Sequence, residues 1–432
     1  MYNIIKLDNG LRLVVENIDH VNSISVGLWV ENGSRNEGIY ENGISHFIEH
    51  MFFKGTEKRN AFNIAECIEE VGGQINAFTG KEATCFYIKV LYSHLNLALD
   101  VISDMLFNSK FSPEDMEKEK GVIIEEINMS EDSPEDVLSD IHSKAIWGND
   151  PISYPILGTK ENVKSFTRKQ VIDYLKRYYV PQNAVISISG KIDLCTIKEV
   201  VEQYFGQWKN NDEKAVQYSN PKFLKKHIFK KKDIEQLHLN LGIPGIESGN
   251  DDLYAELLIS NILGGGASSI LFQKIREEKS LCYSIYSYIA SFNNTGVISI
   301  YTGLNPKHAY DAINIIQEEV FKLIKSGIGS QKLQKTKEQL KGNYILGIES
   351  TTSRMFNNGK SVLFLNKVNS PEDIMIKIDK INTDKLNEVM EKTFKRGILN
   401  SAFVGLDIDV DIVKGILGEC ENPFKKGNSI NI

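Results

Sequence analysis

Residues 23–30 (SISVGLWV) alternate like a strand and end at the turn Glu31-Asn32-Gly33. The first residues alternate as well, and Asp8-Asn9-Gly10 interrupts them, which predicts a hairpin. The stretch GISHFIEHMFF, residues 43–53, is apolar nearly all round and predicts a buried helix. A second helix over about 62–71 stops at Gly72-Gly73, a pair suited to a C-cap. Strands follow at 74–79 and 84–90, joined by Gly80-Lys81-Glu82. A helix from 94 to about 108 lines up Leu95, Leu99, Ile102, Met105 and Leu106 on one face. Ser112-Pro113-Glu114-Asp115 then opens a helix that runs to about Met129, with serine as N-cap, proline next and acids in the first turn. Further on, a helical stretch precedes a strand at 184–189 that closes on Gly190.

A polar segment over 210–220 reads as a linker, and beyond it the order repeats. A strand at 236–242 is followed by an apolar helix at about 253–263, a strand pair at 283–289 and 295–301, and a helix at about 306–326. This predicts an internal duplication of a roughly 210-residue unit. The expected domains are 1–215 and 216–432, and only the first copy keeps polar chemistry in its apolar helix. The run Gly264-Gly265-Gly266-Ala267-Ser268-Ser269 lacks the G-K-[ST] ending of a phosphate loop and reads as a flexible loop or a tight helix junction.

That chemistry lies in the first apolar helix. His46 and His50 are one turn apart on one face, where two imidazoles can grip a Zn²⁺ at roughly 2.0–2.1 Å each. Glu49 is three residues from His46, placed to take a proton from an attacking water. The order H-x-x-E-H inverts the commoner H-E-x-x-H zinc motif. Two core histidines with ordinary hydrogen-bond partners would give the same pair, so a third ligand decides the matter. The helix ending near Met129 supplies it. Met116, Ile123 and Ile127 define its buried stripe, and Glu126 falls about 80° from the stripe's centre. Glu119, two turns earlier, shares that flank, whereas Glu125 points the other way. Glu126 is therefore the expected ligand, and Glu119 the expected hydrogen-bond partner of a ligand histidine.

Composition narrows the class. The 432 residues are 41% hydrophobic and 25% charged, as in ordinary globular proteins. A net charge of −7 and only short lysine runs (225–226 and 230–232, read as solvated surface) give no support for nucleic-acid binding. No apolar run approaches a membrane span, and the N-terminus lacks the apolar core of a signal peptide. Five dispersed cysteines, none in C-x-x-C, fit a reducing cytoplasm and argue against a disulfide framework or a cysteine zinc site.

These residues resemble the inverted-motif zinc peptidases that include pitrilysin, insulin-degrading enzyme and the mitochondrial processing peptidase. The likeness rests on HFIEHMFFKGT, GGQINAFTGKEAT, EKGVIIEEI and, in the second half, GGGASSILFQKIREEKSLCYSIYS. The resemblance implies His46, His50 and Glu126 as ligands of one zinc per chain, Glu49 as general base and Glu119 as support. It implies that the strand at Asn76, Ala77 and Phe78 pairs with extended peptide substrate, and that Arg276 and Tyr283 contact it near the scissile bond. The implied fold is α+β: two homologous domains, each a helical layer on a mostly antiparallel sheet, forming half of a clamshell. The chain carries both the zinc set and the Arg276/Tyr283 pair. In family members built from two halves the arginine and tyrosine facing a zinc come from the opposite half, so the resemblance implies a homodimer with each site completed in trans. The family also has inactive subunits that scaffold a partner peptidase, and the intact His46/Glu49/His50/Glu126 set speaks against that reading here.

Overall fold

The computed structural model describes residues 2–210 and 216–419, which form two compact units. The first unit comprises residues up to 129, 154–218 and 345–370. Its strands are β1 (Tyr2–Lys6), β2 (Arg12–Asn17), β3 (Ser23–Val30), β4 (Gln74–Thr79), β5 (Thr84–Leu91) and β6 (Ala184–Gly190). They form one sheet in the order β1-β2-β6-β3-β5-β4. Every pair is antiparallel except β2 with β6.

Both faces of the central strand β3 are covered. Ile24, Val26, Leu28 and Val30 point into the main core, where the motif helix (Ile44–Phe52) buries Phe47, Ile48, Met51 and Phe52. The Phe52 ring meets Phe86 edge-on, with centroids 5.0 Å apart, and each such buried ring stabilises the fold by roughly 1.5–3 kcal/mol. The alternate positions, Ser25, Gly27 and Trp29, do not face water. They seat the helix Thr351–Leu365, which brings Met355, Val362 and Leu363 onto Trp29, Val14, Cys85 and Val185. Small side chains are needed there: a Cβ on Gly27 would come within 2.3 Å of the Met355 sulfur. The Ser25 hydroxyl lies 3.0 Å from that of Thr351, and Ser187 Oγ donates to the Met355 carbonyl at 2.8 Å. Arg12 donates to the carbonyls of Val362 and Leu363 at the helix end, where a cation also suits the helix dipole.

The second unit comprises residues 130–153, 219–344 and 371 onward. Its strands are β7 (His227–Lys231), β8 (Leu237–Gly245), β9 (Cys282–Phe292), β10 (Thr295–Leu304) and β11 (Asn400–Gly405), ordered β7-β11-β8-β10-β9. Only β7 with β11 is parallel. Without β1, the two sheets have the same strand order and the same pattern of directions, so the duplication extends to topology. The helix Leu253–Gly264 follows β8 as the motif helix follows β3. Here the helix seated on the sheet's other face is Pro134–Trp147, which precedes β6 in sequence.

The two copies have thus exchanged one helix each. Neither unit is a contiguous stretch such as 1–215 or 216–432, because 130–153 belongs with the second sheet and 345–370 with the first. Of the expected linker at 210–220, residues 211–215 lie outside the described residues, while Tyr218 packs in the first unit beneath the Arg35 guanidinium, 4.7 Å from its ring centroid. Lys230 and Lys231 are exposed, as expected, at the end of the edge strand β7, where charge discourages pairing with other chains. Cys67, Cys85, Cys195 and Cys282 are free thiols, and Cys420 lies outside the described residues. No helix among the described residues is long and apolar enough to cross a membrane.

Candidate metal centre

The motif helix begins at Gly43, whose φ of 100° lies in the left-handed region that glycine enters freely. A side chain there would also strike the Leu157 carbonyl at 2.8 Å. Fully buried Glu37 caps this helix end, accepting from the N–H groups of Gly43 (2.8 Å) and Ser45 (2.9 Å) and from the Asn42 amide (2.9 Å). Burial pushes the Glu37 carboxyl up to about 7 against those hydrogen bonds. At the second helical position, Ser45 joins a buried network in which its hydroxyl lies 3.0 Å from Tyr174 Oη, which donates to Asn32. The helix that carries His46, Glu49 and His50 is therefore anchored ahead of those three residues.

His46, His50 and Glu126 come together, with one ligand-capable atom from each inside a 4.8 Å group. Glu126 Oε2 lies 3.7 Å from His46 Nε2 and 3.6 Å from His50 Nε2. Donors bound tetrahedrally at zinc distances are about 3.3–3.4 Å from one another, so the two separations from Glu126 are already near that spacing. Burial, with His50 alongside, pulls His46 down to about 3, which leaves a neutral ring with a lone pair to offer. Its Nδ1 is buried without a hydrogen-bond partner among the described residues. Glu125 is exposed. The helix Pro113–Asp132 turns Glu126 towards the histidines because Met116, Ile123 and Ile127 fix its buried side.

Glu119 is buried on the same helix, and His50 Nδ1–H donates to its Oε1 at 2.7 Å. Lys54 Nζ is 2.6 Å from the other carboxylate oxygen. Burial alone would raise Glu119, but the bonds from His50 and Lys54 outweigh it and hold the carboxyl below its ordinary value. Glu49 accepts a hydrogen bond from the Thr79 hydroxyl. Burial raises its pKa, with Thr79 and His50 pulling the other way.

Thr79 ends β4, which among the described residues is an edge strand paired only with β5. Along it, Ile75 and Ala77 pack towards the main core, whereas the Phe78 ring meets Trp29 and Phe356 edge-on with centroids 5.5 Å away. Asn76 is exposed. What β4 offers at its free edge is therefore main chain. In the second unit, Arg276 and Tyr283 lie together: the guanidinium is 5.2 Å from the Tyr283 ring centroid and 4.6 Å from that of Phe272. Arg276 sits on a π-helical segment, Phe272–Glu278, and Tyr283 is largely exposed near the start of β9.

Sequence reasoning did not single out Lys54, Thr79 or Glu37. Two left a local signal: Lys54 is four residues after His50, and Thr79 shares a strand face with Ala77. Glu37 left none, because it reaches the helix from an irregular segment.

Residues 12–160 match the family described as "Insulinase (Peptidase family M16)", and residues 165–340 match "Peptidase M16 inactive domain". An uncharacterised zinc protease of Bacillus subtilis, YmxG, is 44% identical over 386 residues, covering 89% of this chain and 94% of that protein. The chain belongs to peptidase family M16. Among solved M16-like folds, a protease from Helicobacter pylori matches with a TM-score of 0.87 at 24% identity, covering 94% of this chain and 99% of that one. The peptidase M16 inactive domain from Pseudomonas fluorescens gives the same TM-score at 17% identity, covering 94% and 98%. Both likenesses are of fold. The α+β architecture of two duplicated domains is that of M16 chains, and relatives in the family are named zinc proteases.

Proposed function

We propose that this chain is a zinc-dependent endopeptidase that hydrolyses peptides or unfolded segments. The observation that carries the reading is the meeting of His46, His50 and Glu126 beside Glu49 in a chain of family M16. Those three residues would hold one zinc, which supplies polarisation of water and of the substrate carbonyl when bound. Glu49 takes the proton of the attacking water and delivers it to the leaving amine. Thr79 holds the Glu49 carboxylate in place. Substrate adds as a strand to the free edge of β4 along Asn76, Ala77 and Phe78, through main-chain hydrogen bonds that tolerate varied sequence.

Arg276 and Tyr283 stabilise the oxyanion, and a second copy of the chain supplies them in a C₂ homodimer whose two sites are completed in trans. The exposed tyrosine, stacked against an arginine, supports their assignment as substrate contacts. The test is hydrolysis of a mixed peptide library by purified protein before and after chelation. Cleavage that vanishes with chelator and returns with zinc is expected. Cleavage indifferent to chelator would overturn the reading.

A further inference from the structure

Glu119 carries a two-sided load. Its side chain is 4% exposed, and both carboxylate oxygens are taken, Oε1 by His50 Nδ1 at 2.7 Å and Oε2 by Lys54 Nζ at 2.6 Å. Lys54 lies just past the motif helix, where its own N–H donates to the Met51 carbonyl at 3.1 Å. A cation is favoured at that C-terminal end by the helix dipole. Lys54 is also four residues after His50, so the lysine and the histidine reach the acid helix from one face.

We propose that Lys54 is a positioning residue of the metal centre. By gripping one oxygen of Glu119, it fixes the other as acceptor for His50 Nδ1–H and so aims His50 Nε2 towards Glu126. A carboxylate with one free oxygen could swing about its χ angles, and the imidazole would follow it. Lys54 removes that freedom from both groups without touching the ion. The proposal rests on the zinc reading of His46, His50 and Glu126.

The experiment measures zinc affinity by competition with a chromogenic chelator, independent of turnover. Lys54→Met should weaken zinc by about 10–100-fold, the range for loss of a group supporting a ligand. Lys54→Arg, which keeps a cation and a donor, should bind within a few-fold of wild type. Lys54→Gln, a smaller change should Lys54→Met not fold, should fall between them. Glu119→Gln should weaken zinc comparably, and the double variant Lys54→Met/Glu119→Gln should lose no more than the worse single one, because the lysine acts through the glutamate. Lys118→Met, on an exposed pair of the same helix with Glu114, should change nothing. Wild-type affinity in Lys54→Met, or full additivity in the double variant, would overturn the role of Lys54 alone. If the wild-type chain bound no zinc that depends on His46, the reading of the centre would fall, and this proposal with it.

Discussion

Glu256 is the counterpart, in the second unit's apolar helix, of nothing catalytic, and it isolates the effect of a buried acid. It is 0% exposed, its Oε1 accepts the Ile246 N–H at 3.0 Å, and its Oε2 has no hydrogen-bond partner among the described residues. Burial raises its carboxyl from 4.5 to about 7, despite the Ile246 bond and Lys392 pulling it down. The folded chain thus holds the proton more tightly than the unfolded chain. Stability from this group is complete below about pH 4.5 and is lost as pH rises through about 7. At 1.36 kcal/mol per pH unit the whole span is worth about 3 kcal/mol, most of it between pH 5 and 8. Glu256→Gln cannot ionise, so relative to wild type it should gain about 2–3 kcal/mol between those two pH values. For a unit of this size that is roughly 5–10 °C in melting temperature. Calorimetric melting of both proteins at pH 5 and pH 8 reads the difference, and comparing the two cancels every other titrating group. A variant offset from wild type by the same amount at both pH values would refute the argument.

Four further outcomes are expected. Elemental analysis should find about one zinc per chain, lost in His46→Ala, His50→Ala and Glu126→Gln but kept in Glu125→Gln; full occupancy in Glu126→Gln would remove that residue from the ligand set. Glu49→Gln should keep zinc and fold yet lose peptide hydrolysis by about 10²–10⁴-fold; near-normal cleavage would rule it out as the base. Short unstructured peptides should be cut while a folded, disulfide-stapled protein resists, because its strands cannot pair with β4; rapid digestion of the folded protein would contradict strand addition. Glu49→Gln and Arg276→Ala should each be nearly inactive and should recover when subunits are mixed, one site then carrying both lesions and the other none; no recovery despite confirmed exchange would mean that the motifs do not complement in trans.

What the sequence made legible was local. His46 and His50 are a helical turn apart, and the stripe of Met116, Ile123 and Ile127 distinguishes Glu126 from Glu125, so the grouping follows from angles along two helices. The alternation of β3 and β8 and the repeated order of elements announced the duplication. The exchanged helices were not legible, because periodicity gives the apolar side of a helix and never the sheet it will meet. Thr351–Leu365 carries Met355, Val362 and Leu363, yet its fit to the first sheet depends on Ser25, Gly27 and Ser187, more than 150 residues away. The Lys54–Glu119 contact was hidden likewise, since a lysine beside a glycine turn reads as surface until the partner helix is in place.

The exchange of helices also sets the order in which a growing chain can become a protein. The first sheet, with the His46/His50/Glu126 group, is spelled out by residue 190, yet the helix that covers its second face begins only at residue 351. Until then Trp29, Val14, Cys85 and Val185 form a bare apolar surface, while Pro134–Trp147 waits for β8 and β11. Folding from the N-terminus, the usual course for successive domains, cannot finish the first unit here. Synthesis must pass residue 365 before the first sheet is closed, and residue 405 before the second sheet has all its strands. A gene cut after residue 215 would yield a fragment holding His46, Glu49, His50, Glu119 and Glu126 and no cover for its sheet, a species prone to stick to others of its kind.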